Sequence, residues 1–298
     1  MNAEKTTYNG LDAVRIENDK GDVLVVVTGI GPRITCFLPE GRENIFYVDN
    51  EETGPRSAGD SKWHLYGGTR LWISPEAETS YSPDNSPCDV TIEDRKVTVI
   101  SPVDKTTKLR KLLKIEARSK SFDVTYTIKN EGTHLFTAGL WAITCMKPLD
   151  ESAIYLPWGE TGRWNIKDIK YWRSWLGSNT NIASGQWNPT DEFFIVKPTG
   201  ETGKVGFANR CGYAVYRAGQ TSFIKRSDYI PTANYPDDGC SCEVYTCEKF
   251  YEIETLSPLF VMKPDETCSH SEKWWAGFEK IDTRTVQSVN AFVEKVLS

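Results

Sequence analysis

The chain has 298 residues, 39% of them hydrophobic and 26% charged, with a formal net charge of −6 at pH 7. That balance describes a soluble globular protein able to bury a large core without disulfide or metal staples. The acidic sign argues against nucleic acid or an anionic membrane as a partner, and no stretch approaches the ~20 apolar residues of a membrane span.

Strand-like runs dominate in chain order. Residues 1–8 lack the charged-then-apolar pattern of a signal peptide, so a cytoplasmic location is expected. Residues 22–28 are rich in β-branched side chains and end at the turn Gly29-Ile-Gly-Pro, with further strands at 33–38 and 44–48. Residues 90–93, 96–100, 109–116 and 122–129 follow at short spacing. The last alternates, with Phe122, Val124, Tyr126 and Ile128 on one face. The lysines and arginines of 105–120 read as a solvated, edge-protecting set. Residues 158–189 are irregular and carry Trp158, Trp164, Trp172, Trp175 and Trp187, so this stretch either folds over the core or lines a binding surface. A 3.6-residue stripe of Val286, Val289, Phe292, Val293 and Val296 predicts one helix over 283–297. No composition break or repeat divides the chain. The expectation is a single all-β domain over residues 1–298, a large antiparallel β-sandwich with a short C-terminal helix.

Eight cysteines, at 36, 88, 145, 211, 240, 242, 247 and 268, form no Cys-x-x-Cys pair and read as free thiols rather than a zinc site. Ten Trp and 13 Tyr are the stronger bias, because their flat apolar faces with a polar edge suit the C–H faces of sugar rings.

Residues 235–258 concentrate the candidate chemistry. Glu252 and Glu254 project to the same side of a strand, roughly 7 Å apart. If Glu248-Lys249 is the hairpin loop, Cys247 pairs with Phe250, Tyr245 with Glu252, and Glu243 faces Glu254. Like charges directly opposite are destabilising, so a cation, a shared proton or a ligand is expected to compensate; a solvated outer face is the alternative. In residues 63–76 the Gly67-Gly68 pair allows close backbone approach. Arg70, Trp72 and Glu76 share a face if the segment is extended. His64, beside the diglycine, is the best histidine candidate for acid–base work. There is no Gly-x-Ser-x-Gly elbow, phosphate loop or His-Glu-x-x-His.

Taken together, the turn Gly31-Pro-Arg33, the segment 67–72, the strand 140–144, the acidic strand ending Glu254-Thr-Leu-Ser-Pro258 and the Met-Lys-Pro-x-Glu at 262–266 resemble the aldose 1-epimerase (galactose mutarotase) superfamily. The chain is most similar to a branch of mutarotase-like domains with diglycine-x-Arg-Leu-Trp-x-x-Pro-Glu and Tyr-Pro-Asp-x-Gly-Cys elements. The resemblance implies a β-sandwich with a carbohydrate site on its concave face, with Glu254 as general base and Arg33 or Arg70 gripping the sugar. The family's His-Gly-Gly reads here as Tyr66-Gly67-Gly68, with His64 displaced by two positions, and residues 139–144 lack the family's second histidine. The expected acid is therefore Tyr66, His64 or another donor. Trp72, Glu76, Trp141, Lys225, Tyr235, Asp237, Glu243 and Glu252 complete the expected sugar-binding set.

Three functions compete. The first is an epimerase acting on a sugar with Glu254 as base. The second is a glycan lyase or glycoside hydrolase on the same fold. The third is a non-catalytic carbohydrate-binding domain. No cofactor is expected, and a cation held by Glu243, Glu254 and Asp237 is a minor variant. The expected partner is a mono- or oligosaccharide; the sequence does not fix its identity or the oligomeric state.

Overall fold

The computed structural model describes residues 2–159, 166–174 and 177–297; Trp164 and Trp175 lie outside them. Among these residues, two antiparallel sheets of 11 and 10 strands pack face to face. The first runs from Ala3–Tyr8 at one edge through Thr69–Ser74, Phe136–Met146, Tyr251–Leu256, Cys242–Thr246 and Gly203–Phe207. The second centres on Tyr213–Ala218, Thr221–Ser227, Thr267–Gly277 and Phe122–Asn130.

The pleat explains the core. Along Phe122–Asn130 every second side chain is buried, as the alternation predicts, and Phe122, Val124, Tyr126 and Ile128 point inward. Phe37 of the first sheet meets Phe122 and Phe223 of the second edge-to-face, at centroid separations of 5.6 and 5.8 Å. The outer face of the second sheet is covered by the helix Val286–Leu297. Its Val289, Val293 and Val296 pack on Tyr213, Val215, Ile224 and Trp275. The helix starts at the first residue of its apolar stripe, three residues after the expected 283, where the Thr285 hydroxyl caps it by accepting a hydrogen bond from the Ser288 N–H at 3.2 Å.

Among the described residues, no helix covers the centre of the outer face of the first sheet. Instead that face carries Arg70 and Trp72, Trp141 and Ile143, Glu252 and Glu254, Glu243 and Tyr245, and Lys204, all brought to one side by the pleat of five adjacent strands. No disulfide joins two of the described cysteines. None of the described helices is long and apolar enough to cross a membrane.

Candidate active site

Strand register builds the site. Across the sheet, Arg70 stands opposite Ile143, Ile143 opposite Glu254, Glu254 opposite Glu243, and Glu243 opposite Gly206. The neighbouring row on the same face is Cys145, Glu252, Tyr245 and Lys204. The hairpin alignment read from the sequence is the one found, closed by the Cys247 N–H donating to the Phe250 carbonyl at 3.0 Å. Two glycine positions make the arrangement possible. Gly68, at φ +65°, passes against the Ile34 backbone just before the strand that carries Arg70. At Gly206 a Cβ would lie 2.8 Å from Glu243 Cγ, so the missing side chain is the space Glu243 occupies.

The result is a cleft of about 320 Å³ whose lining includes Trp63, Trp72, Trp141, Tyr81 and Phe250, with Arg70, Lys204, Glu76, Glu252 and Glu254 as its charged groups. Trp72 meets Trp141 and Tyr81 edge-on at 5.4 and 5.0 Å. The Arg70 guanidinium lies 4.4 Å over the Trp72 ring and is bonded to Glu252 at 3.0 Å, so its charge is already engaged. Tyr81 donates its phenolic hydrogen to Glu76 at the rim.

Glu254 is fully buried in the floor. Its Oε2 accepts the Trp141 indole N–H at 2.5 Å and lies 3.6 Å from Lys204 Nζ. Its Oε1 has no hydrogen-bond partner among the described residues. Burial pushes the Glu254 carboxyl up to about 7, and Glu252 pushes the same way, while Lys204, the Trp141 N–H and Arg70 hold it from rising further. Glu243 is also raised well above the ordinary carboxylate range by burial, despite Lys204 Nζ at 2.8 Å from its Oε2. Lys204 rests over the rings of Trp141 and Trp172, at 4.1 and 4.7 Å. Burial disfavours its charge, but Glu254 and Glu243 outweigh that, and the ammonium stays protonated.

Several expected site residues lie elsewhere. Trp63 and Leu65 line the cleft, whereas His64 and Tyr66 turn away from it. The two His64 nitrogens face Glu52 and Asp60, the latter at 3.0 Å. The Tyr66 hydroxyl donates to Asn85 at 2.6 Å, and burial pushes this phenol up to about 12, out of range for an acid at neutral pH. Arg33 stacks 4.4 Å over the Tyr66 ring and is tied to Asp84 at 2.7 Å. Lys225 points into the space between the sheets, because its neighbours Phe223 and Trp274 set that face of the strand inward. Tyr235 is buried in the connection between Thr221–Ser227 and Cys242–Thr246, where its hydroxyl accepts the Ile230 N–H at 2.9 Å. Asp237 accepts from the Ser74 hydroxyl at 2.7 Å instead of joining Glu243 and Glu254. The ammonium of Lys204 stands between those two glutamates, and no trio of His, Cys, Asp or Glu among the described residues is arranged to hold a metal. His270 is also in the core, its ring nitrogen 2.8 Å from the Thr255 hydroxyl. Of the described tryptophans in that stretch, Trp158 and Trp187 pack into the core and Trp172 reaches the site, over Lys204. Lys204 itself escaped the sequence reading; the signal was a lysine inside the short apolar run Gly203–Phe207.

No family model matches the chain, and no curated protein matches it. Solved structures do. A galactose mutarotase-like protein from Clostridium acetobutylicum superposes with a TM-score of 0.56 at 12% identity, covering 93% of this chain and 98% of that one. An aldose 1-epimerase candidate from Escherichia coli K12 gives 0.60 at 10% identity, over 93% and 99%. The fold is that of the galactose mutarotase-like proteins. A TPR-domain containing protein from Parabacteroides distasonis gives 0.61 at 9% identity, with 91% of this chain matching only 48% of that longer one. The mutarotase-like fold thus also occurs as part of a larger polypeptide.

Proposed function

We propose that the cleft binds a monosaccharide or the end of a glycan, and that Glu254 acts as general base on the anomeric hydroxyl, as in an aldose 1-epimerase. The observation that carries this is a buried carboxylate, pushed up to about 7 by that burial, with one oxygen that has no partner among the described residues, set in a floor walled by tryptophan. A base titrating near the working pH combines ionised form with basicity. Indole faces suit the C–H face of a pyranose. Glu254 Oε1 takes the proton of the anomeric hydroxyl, whose electron pair forms the carbonyl as the bond from C1 to the ring oxygen breaks. The ring oxygen takes up a proton from water, the C1–C2 bond rotates, and closure on the opposite face of C1 runs the same steps in reverse.

One observation favours a second reading, a non-catalytic carbohydrate-binding domain. No histidine among the described residues lines the cleft, so an acid for the ring oxygen is harder to name than the base. Magnetisation-exchange NMR across a panel of aldoses and uronic acids separates the two. Faster exchange between α and β anomers supports the epimerase, and ligand signals that bind without exchange support the binding domain. If no sugar binds, both readings fall.

A further inference from the structure

Lys204 and Glu243 hold no assigned role in the chemistry above, yet they occupy the centre of the charged floor. Charged groups on several strands act on Glu254 and its neighbours, with Lys225 behind the sheet, Glu76 near Lys204 and Asp237 near Glu243 as the outer members. Glu252 shares the strand of Glu254, Glu243 faces it from the next strand, Lys204 comes from the strand beyond, Arg70 lies on the opposite flank, and the Trp141 N–H closes the row. Arg70 is already committed to Glu252 at 3.0 Å. That leaves Lys204 as the cation whose partner is undecided, at 2.8 Å from Glu243 and 3.6 Å from Glu254. Its ammonium rests over two indole faces, 4.1 Å from the Trp141 ring and 4.7 Å from the Trp172 ring. Glu243 Oε1 is buried and, like Glu254 Oε1, lacks a hydrogen-bond partner among the described residues.

We infer that Lys204 and Glu243 form a positioning pair for Glu254: the shared ammonium fixes Glu254 Oε2, leaves Oε1 turned to the ligand, and balances whichever of the two carboxylates is ionised. The inference rests on Glu254 being the reactive carboxylate of the cleft. When Glu254 takes a proton, its attraction for Lys204 falls and the ammonium remains with Glu243. When Glu254 is ionised, Glu243 competes with it for the same cation. Two buried carboxylates sharing one cation cannot both be fully compensated, so a proton on one is the cheapest way to satisfy the other. The pair therefore titrates as a unit, and removing either member moves the remaining carboxylate in a defined direction.

The test is a 13C NMR titration of the glutamate side-chain carboxyl carbons in the intact protein, with Glu254 assigned by its loss in Glu254→Gln. Lys204→Met is expected to raise the Glu254 midpoint by about one unit or more, a tenfold change in proton affinity. Lys204→Arg keeps the charge and is expected to restore it most of the way. Glu243→Gln is expected to lower the Glu254 midpoint, because the ammonium loses its competing carboxylate. This last variant decides the matter if Lys204→Met does not fold. A purely structural role for Lys204 would lower the unfolding temperature and leave the midpoint in place; that result, or a rise in Glu243→Gln, would overturn the inference. Because the readout needs no turnover, an inactive protein whose Glu254 shifts as expected would count against the epimerase reading and leave the positioning pair standing.

Discussion

Two buried lysines stand on opposite sides of the first sheet, and their surroundings differ in kind. Lys225, between the sheets, donates to the carbonyls of Ala142 and Ile253 at 2.9 and 3.1 Å and to the Thr144 hydroxyl at 2.9 Å, and it lies 3.3 Å from Glu272. Glu272 is satisfied in turn by the Thr255 hydroxyl and, at 2.8 Å, by the Trp274 N–H. Lys204, in the cleft, serves two carboxylates that keep unpartnered oxygens. A fully satisfied buried network fixes a structure; one with open acceptors leaves room for a ligand. The electrostatics follow the same division. Burial lowers Lys225, with Glu272 only partly offsetting it, whereas the paired glutamates raise Lys204.

The largest expected effect lies on the cleft side. Glu254→Gln keeps the side-chain shape and removes the base, so anomer exchange should fall by about 100-fold or more while sugar affinity changes only a few-fold. Saturation-transfer and exchange NMR on one sample give both numbers; equal losses in binding and exchange would mean that Glu254 serves only to hold the ligand.

The core side should dominate stability. Lys225→Met strands Glu272 in the interior and should cost about 3–5 kcal/mol in denaturant unfolding, as expected when one partner of a buried ion pair is removed. Lys204→Met should cost less, since Glu243 and Glu254 are already poised to take up protons. Equal costs would erase the distinction between the two networks.

Acid and base should also pull the two regions apart. His270 is held down to about 4 by burial, so its contribution is present above the ordinary 6.5 and lost as pH falls toward 4. Glu254 is raised from 4.5 to about 7, so its contribution is present below 4.5 and lost as pH rises through 7. Each slope is about 1.4 kcal/mol per pH unit, and between pH 4.5 and 6.5 they oppose one another. Glu243, raised by the same burial, adds to the cleft's sign. His270→Gln should therefore make stability fall with rising pH in that window, and Glu254→Gln should tilt it toward a rise. Thermal unfolding across pH reads both; parallel curves would contradict the assignment.

The smallest effect belongs to the cleft wall. Trp72→Phe keeps the edge contacts but shrinks the stacking face, and should weaken sugar binding by about threefold to tenfold with little change in unfolding.

What the sequence made legible follows from the pleat. Alternation alone put Glu252 with Glu254 and Arg70 with Trp72, and the hairpin loop at Glu248-Lys249 aligned Glu243 with Glu254. Alternation cannot say which of two buried faces is the cleft and which the core. That depends on which strands become neighbours, and it is why Lys225 was expected in the site and Lys204 was not. Both are lysines in apolar strands; only the pairing of Gly203–Phe207 with Cys242–Thr246 brings Lys204 to the glutamates. His64 and Tyr66 failed for a related reason, since a one-residue offset along residues 63–66 reverses the direction of a side chain, and Trp63 and Leu65 take the cleft side. The resemblance pointed to Glu254, which lines the cleft of the first sheet, and left the proton donor open.

The most direct test is a crystal structure of the protein soaked with an aldose that binds in solution. The expected result is a sugar ring against the Trp72–Trp141 wall with one hydroxyl about 2.6–3.0 Å from Glu254 Oε1, the buried oxygen that lacks a partner among the described residues. A sugar seated elsewhere, or one in this cleft whose hydroxyls all avoid Glu254, would contradict it.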